Sequence, residues 1–427
     1  MRLAIILAVA LLMLISGSGI AYVTGALAAI GFVTTDNADF LRAIPGRVFS
    51  GMDVFAFMAM PLFILVGEIM NRGGVTQALV NFSVALIGRV KGGLGYVNVM
   101  TSVFFAGISG SAVADAAALS NTLVPAMRKQ GYSGEYAGAI TAASSIIGPI
   151  IPPSIILVFY GSIMGTDVAA LFAGGIVPGL LLAGTLLAAN AFFAWRGNHP
   201  GGKDIEVPGL IPAAIKALPA LSLPLIILGG IVFGWMTPTE AAAVAVLAAI
   251  AVSALYGLFS RAMIWRALQR SIILSGSIFV TLGAASLVTL LAALTHTPQA
   301  LGATIAGLGL TGLGFLFTFL VVFIFMGMIA ETQIALALLA PLLVPIALAQ
   351  GANEVHLGVV VCLTLAMGLI TPPLGGAVLV TSTVTGVSYW RLIMTTLPFA
   401  LLETILLFVL LIFPEITLFL PRAMGLM

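Results

Sequence analysis

Of 427 residues, 61% are hydrophobic and only 7% charged, the formal net charge is +2, and the mean hydropathy is +1.23. A soluble domain carries about 25% charged residues, so this composition excludes one; it describes a polytopic membrane protein with room for about ten to twelve spanning or re-entrant segments. The balance of charge, without a basic cluster, excludes a nucleic-acid binder, and the single cysteine, Cys362 in an apolar run, excludes an internal disulfide or thiolate metal site.

In chain order, Leu3 to Phe32 is read as a retained spanning helix. A cleaved signal peptide is the alternative, because Arg2 precedes the apolar run and small residues follow. The loop Asp36 to Arg47 leads to a second crossing, Val54 to Met70, and a third, Val75 to Ile87, closed by Arg89-Val90-Lys91. The stretch Gly92 to Met127 is short for two full crossings and a turn and has basic pairs at both ends. It is expected to be a re-entrant hairpin with its tip at Gly107-Ile108-Ser109-Gly110-Ser111. A helix from about Tyr136 to Met164 follows, interrupted at Gly148-Pro149-Ile150-Ile151-Pro152-Pro153-Ser154, where clustered prolines forbid a continuous helix. Next come a crossing from Val168 to Trp195 and a polar connector, Arg196 to Pro212. Crossings at Ala213–Gly234, Glu240–Phe259 and Ser271–Leu294 precede a glycine-spaced stretch, Gly302 to Gly314. A second hairpin is expected at about 315–349, a second broken helix at about 355–385, interrupted at Gly368-Leu369-Ile370-Thr371-Pro372-Pro373, and a last crossing at Leu392 to Phe413.

With ten crossings and neither hairpin crossing, one face collects 13 Lys/Arg and the other only Arg2, Arg72 and Arg422. The positive-inside rule then places the rich face in the cytoplasm and both termini outside. Loss of the first segment as a signal peptide would reverse the assignment.

The two breaks are 220 residues apart (372 − 152), and the same offset pairs Gly107 with Gly327, Leu123-Val124-Pro125 with Leu343-Val344-Pro345, Gln130-Gly131 with Gln350-Gly351, Gly148 with Gly368, and Pro178 with Pro398. Four crossings and a hairpin separate the broken helices, so the second copy runs opposite to the first. The fold class is therefore all-α and polytopic, with an inverted repeat like that of secondary transporters. The first copy is 1–195, the connector 196–212 and the second copy 213–427. The hairpins then open on opposite faces and their tips meet near mid-membrane.

A helix broken in hydrocarbon frees carbonyls that need protein, water or an ion. Unwound carbonyls with a hydroxyl can coordinate Na⁺. Ser109, Ser111 and Ser154 offer hydroxyls in the first copy and Thr371 in the second; kinks satisfied by neighbouring helices are the plainer reading. Among the few intramembrane acids, Asp115 and Glu331 stand at or just after the tips. For each, contact with ion or substrate and a structural hydrogen-bonding role both stay open. Glu68, beside Asn71-Arg72, reads as an interface charge. His199, His296 and His356 have no metal-ligand spacing. Gly107-Ile108-Ser109-Gly110 fits the short G-x-S-G pattern of intramembrane serine proteases, but no histidine stands at mid-span to activate the serine. No P-loop or dinucleotide fingerprint occurs, and no enzymatic activity is expected.

The stretches MPLFILVGEIMNRGG (60–74), GGLGYVNVMTSVFFAGISGSAVADAAAL (92–119), TAASSIIGPIIPPSIILVFYG (141–161) and GLITPPLGGAVLV (368–380) carry a resemblance. Over nearly its whole length the chain resembles the large membrane subunit of tripartite ATP-independent periplasmic (TRAP) transporters. The resemblance implies an elevator-type fold and Na⁺-coupled uptake of organic acids across the bacterial inner membrane. It also implies two partners, a periplasmic substrate-binding protein and a small four-helix membrane subunit, the latter expected as a separate polypeptide. Carried over by motif, one Na⁺ site would use Ser109, Gly148 and Ile151, with Ser111 or Ser154 nearby; the other would use Gly327, Gly368, Thr371 and Leu374. The second tip, Gly327-Met328-Ile329-Ala330-Glu331, departs from the many members with an aromatic after Gly-Met. A stand-alone elevator-type anion carrier, an intramembrane protease and a channel are the alternatives.

Overall fold

The computed structural model describes residues 9, 12, 13, 15–197, 199, 200, 207–307, 309 and 312–427. Arg2 and most of the first segment's beginning, the middle of the connector and part of the glycine-spaced stretch lie outside them. No strand occurs among the described residues. The first copy contains α1 (Ile20–Thr34), α2 (Ile44–Met52), α3 (Ala59–Arg72), α4 (Val75–Ile87), the hairpin legs α5 (Gly93–Ser109) and α6 (Ala112–Lys129), the broken helix α7 (Gly134–Ser145) and α8 (Ile155–Met164), and α9 (Val168–Arg196). After α10 (Leu210–Val232) come α11 (Pro238–Leu255), α12 (Arg261–Leu294), α13 (Thr297–Gly307), the second hairpin α14 (Gly312–Ile329) and α15 (Thr332–Ala349), the second broken helix α16 (Glu354–Gly368) and α17 (Gly376–Thr385), α18 (Tyr389–Ile412) and α19 (Glu415–Ala423).

The 220-residue offset carries α1 onto α11, α3 onto the second half of α12, α4 onto α13, and α5 through α9 onto α14 through α18. Only α10 stands between the copies without a counterpart. Helix starts agree with local chemistry: Ser111, Ser133, Ser154, Asp167 and Ser260 each accept a hydrogen bond from an amide of the first turn, and Thr237 with Glu240 forms a full capping box.

Two faces of the bundle follow from contacts at helix ends. Asp167, Gly234 and Pro238 line one gap with Ala56, so the starts of α9, α11 and α3 and the end of α10 share one face. At the other face the Tyr256 hydroxyl donates to the Lys216 carbonyl, Gly74 lies against Leu258, and the Gly92 amide donates to the Pro200 carbonyl at 3.1 Å. Hence α4 begins and ends on the same face. This corrects the expectation of a third crossing: its 13 residues reach only about 20 Å, well short of an ~30 Å hydrocarbon core.

Nine elements run from face to face among the described residues: α1, α3, α7/α8, α9, α10, α11, α12, α16/α17 and α18. The correction moves Arg72 to the face that holds Arg89, Lys91, Arg128, Lys129, Arg196, Lys216, Arg261, Arg266, Arg270 and Arg391. It also moves Arg42 and Arg47 to the opposite face with Arg422. The charge asymmetry survives, but α1 runs from the rich face to the poor one, opposite to the direction expected of the first segment. The C-terminal end lies at the poor face. The first hairpin opens at the rich face and the second at the poor face.

Packing divides the helices into two bodies. In one, α12 packs on α1, α2 and α3, while α10 and α11 pack on each other, on α4 and on α3. The other joins both hairpins and both broken helices. Asn98 donates to Thr141 at 2.6 Å and Ser102 to Ser144 at 2.8 Å, fastening α5 to α7, and Ser120 donates to Thr381 at 3.2 Å, fastening α6 to α17. Such pairs satisfy buried polar groups that apolar surroundings would otherwise penalise, and so bind the first hairpin to both broken helices, while the second hairpin joins them by packing of α14 on α16.

Candidate functional site

Each hairpin tip lies against the break of its own copy. In the first copy α7 stops at Ser145, and the chain turns through Ile146–Pro153 before Ser154 caps α8. The Ser154 hydroxyl donates to the Pro149 carbonyl and accepts from the Leu157 amide at 3.2 Å, so it spans the break from within. Opposite, the Ser109 hydroxyl donates to Asp115 and accepts from the Ser111 amide at 3.2 Å. The second carboxylate oxygen of Asp115 is buried without a hydrogen-bond partner, and a Cβ on Gly148 would collide with it. Glycine is thus required at 148, where backbone and carboxylate share the space. The carbonyls of Ser109, Gly148 and Ile151 accept no hydrogen bond from the described residues. Three open carbonyls and an orphaned carboxylate oxygen form an all-oxygen set suited to a hard cation.

The second copy repeats the geometry with different chemistry. Gly327 and Gly368 meet backbone to backbone: a Cβ on Gly368 would come within 2.5 Å of the Gly327 Cα. The carbonyls of Gly327 and Thr371 are open, whereas Gly368 accepts from the Thr371 amide at 3.2 Å, and the Tyr389 hydroxyl is shared between the Pro373 carbonyl at 2.7 Å and that of Leu374 at 3.0 Å. The Thr371 hydroxyl donates to Met367 at 2.8 Å. At the offset position of Asp115 stands Ala335, so only the first cradle contains a carboxylate. Both breaks include a cis proline–proline peptide.

Between the two bodies lies a cavity of about 280 Å³. One wall is α3 and α12, which contribute Glu68, Asn71 and Arg270; the other is the two tips, which contribute Ser109, Ser111, Glu331 and Gln333. The tips therefore do face one chamber. The cavity lies on the rich-face side of a mostly apolar seam of Phe159, Ile278, Leu282, Ile334 and Ala337, with Thr281 and Gln333, too tight to admit a water molecule. Beyond the seam a second gap of about 240 Å³, lined by Arg47, Ser286, Thr289 and Pro341, opens toward the poor face. Among the described residues, the tips line the rich-face cavity and not the poor-face gap.

The residues expected to act together are distributed as follows. Ser109, Gly148 and Ile151 gather in the first cradle, and Gly327, Gly368 and Thr371 in the second, with Leu374 turned toward Tyr389. Ser111 and Glu331 line the cavity. Asp115 and Ser154 are fully buried and do not line it; Asp115 belongs with the cradle, and Ser154 holds the break together. Sequence reading missed Arg270, Asn71 and Gln333, and took Glu68 as an interface charge. Glu68 does pair with Arg72 at 3.2 Å, but on the cavity wall. The available signal for Arg270 was helix length, since 34 residues in α12 exceed one crossing and carry its first turns past the lipid boundary.

A family model described as the DctM component of tripartite ATP-independent periplasmic transporters matches residues 3–416. The chain is 35% identical to the sialic acid TRAP transporter large permease protein SiaM of Vibrio cholerae over 92% of this chain and 92% of the relative. It is 32% identical to the C4-dicarboxylate TRAP transporter large permease protein DctM of Pseudomonas aeruginosa, over 94% of this chain and 93% of the relative. The sialic acid TRAP transporter permease protein SiaT of Haemophilus influenzae is 30% identical over 93% of this chain, which spans 64% of that relative. Among solved structures, the YdaH transporter of Alcanivorax borkumensis shares the fold, with a TM-score of 0.59 over 88% of each chain at 16% identity.

Proposed function

This chain belongs to the DctM family of tripartite ATP-independent periplasmic transporters, and on that premise we propose that it carries an organic anion inward with Na⁺ by sliding one body past the other. The sliding body is the unit of both hairpins and both broken helices; the frame is the body built on α3 and α12. The observation that carries this reading is the pair of tip-and-break cradles flanking one cavity between the two bodies.

Na⁺ is a co-substrate in this scheme. In the first cradle the open carbonyls of Ser109, Gly148 and Ile151 and the free Asp115 oxygen would hold it; in the second, the Gly327 and Thr371 carbonyls, with Gly368 and Leu374 contributing their remaining lone pairs. A cation joining tip to break would fix the tip, and so form the cavity wall where Ser111 and Gln333 offer the anion hydrogen-bond donors. Ion and anion binding are then coupled, because each favours the closed cradle. The rich face is assigned to the cytoplasm by the positive-inside rule. The cavity on that side of the seam then corresponds to the inward-facing state, in the inner membrane. The anion arrives at the poor face from a soluble binding protein, and a small membrane subunit completes the assembly. Relatives act on sialic acid or C4-dicarboxylates by name, so a carboxylate is the chemical feature expected of the substrate.

In proteoliposomes containing the assembly, with binding protein outside, uptake of a candidate organic acid is expected under an inward Na⁺ gradient and to vanish when K⁺ replaces Na⁺. Uptake that persists in K⁺ would refute the coupling.

A further inference from the structure

Two arginines on the frame have no ion-pair partner among the described residues, and they stand in the two gaps on opposite sides of the apolar seam. Arg270 of α12 lines the central cavity on the rich-face side, and Arg47 of α2 lines the gap on the poor-face side. Glu68 is held by Arg72 at 3.2 Å, and Glu331 sits on the tip, on the moving wall. Among the described residues that line it, the poor-face gap has no carboxylate. The two positions are also akin in the repeat: the offset takes Arg47 to residue 267, one turn before Arg270 on the same helix.

We propose that Arg47 and Arg270 are paired carboxylate contacts on the fixed frame, one for each side of the membrane, which the substrate anion meets alternately. The proposal rests on the transport reading above and assigns two residues to its entrance and exit. A guanidinium is always charged and presents a planar fork matched to a carboxylate. Fixed to the frame, neither can travel with the anion as the body slides. Arg47 can therefore engage it only while the tips face the poor side, and Arg270 only while they face the rich side. The seam separates the two stations, so one anion cannot bridge them. A cation at the exit lures the anion off the tips; a cation at the entrance raises its local concentration there.

The test uses the full assembly in proteoliposomes, with the same organic acid and Na⁺ gradient. Arg47→Gln is expected to raise the external half-saturation about twofold to fivefold, the size of a solvent-exposed charged contact, with the maximal rate preserved. Arg270→Gln is expected to leave external half-saturation unchanged. It should instead raise, by a similar factor, the internal substrate concentration that half-inhibits uptake. Lysine at either position should restore part of the effect, and both side chains are exposed enough to be replaced without unfolding. Wild-type uptake together with an unchanged half-saturation on the variant's own side, or with equal shifts on both sides, would overturn the assignment of that arginine. Absence of Na⁺-driven uptake in the wild type would overturn the transport reading itself, and this inference with it.

Discussion

Gly368→Ala tests the second cradle where side-chain adjustment cannot help. A Cβ at 368 would lie within 2.5 Å of the Gly327 Cα and 2.6 Å of its carbonyl oxygen. Carbon atoms prefer about 3.5–4.0 Å, so tip and break must part by roughly 1 Å. All the colliding atoms are backbone, so no rotamer change relieves the clash, and overpacking of this kind costs about 1–3 kcal/mol. Charged against the closed cradle alone, that is about a 5- to 150-fold loss in coupling. The assay is uptake in proteoliposomes as a function of Na⁺, beside a thermal melt of the purified protein. The half-activating Na⁺ concentration is expected to rise at least about fivefold, with a melting temperature lowered by a few degrees at most, since the strain is confined to one contact. Gly184→Ala is the control: nothing stands within 4 Å of its Cβ, and a helix-interior alanine should stabilise α9 slightly. If Gly368→Ala responds to Na⁺ like the wild type while Gly184→Ala does too, tip-to-break closure has no part in ion binding.

Two further outcomes follow from the geometry. Asp115→Asn preserves volume and a partner for Ser109 while removing the carboxylate oxygen that faces Gly148. The melt should stay within about 2 °C of wild type and Na⁺ affinity should fall; unchanged affinity would leave Asp115 a structural role only. For the lateral helix, Cys362 is buried and silent to thiol reagents, so single cysteines at Arg72, Arg89 and Phe49 can be labelled from either side of sealed vesicles. Positions 72 and 89 are expected to label from one side and 49 from the other; opposite labelling of 72 and 89 would restore α4 as a crossing.

The repeat was legible because its signals are covalent in origin. Proline removes a donor and clusters at Pro152-Pro153 and Pro372-Pro373, and glycine marks Gly107, Gly148, Gly327 and Gly368, whatever the rest of the chain does. Hairpin tips and breaks could therefore be placed, and set against each other, before any contact was known. The path of α4 was not legible, because thirteen apolar residues read alike whether they cross or lie along the surface. Its direction is decided by partners 184 and 108 residues away, Leu258 against Gly74 and Pro200 against Gly92. Arg270 escaped for a related reason: hydropathy assigns a charge to a loop, and only the packing of α3 beside α12 turns that loop-side turn into a cavity wall. Asp115 was visible as an intramembrane acid, but its neighbours across the break were not. Its place one turn after Ser111 left ion, substrate and structural roles open, and the fold sets it against Gly148.

Helix α10, the one crossing without a counterpart, has a consequence in parity. The first copy crosses four times, through α1, α3, α7/α8 and α9, and so returns the chain to the face it left. Joined directly, a tandem duplicate would insert the same way up, with both hairpins admitted from one side. One supernumerary crossing makes the count odd and turns the second copy over. The two-sidedness of the molecule thus depends on Leu210–Val232, a helix remote from both cradles, and excising it would yield a chain with two doors on the same wall.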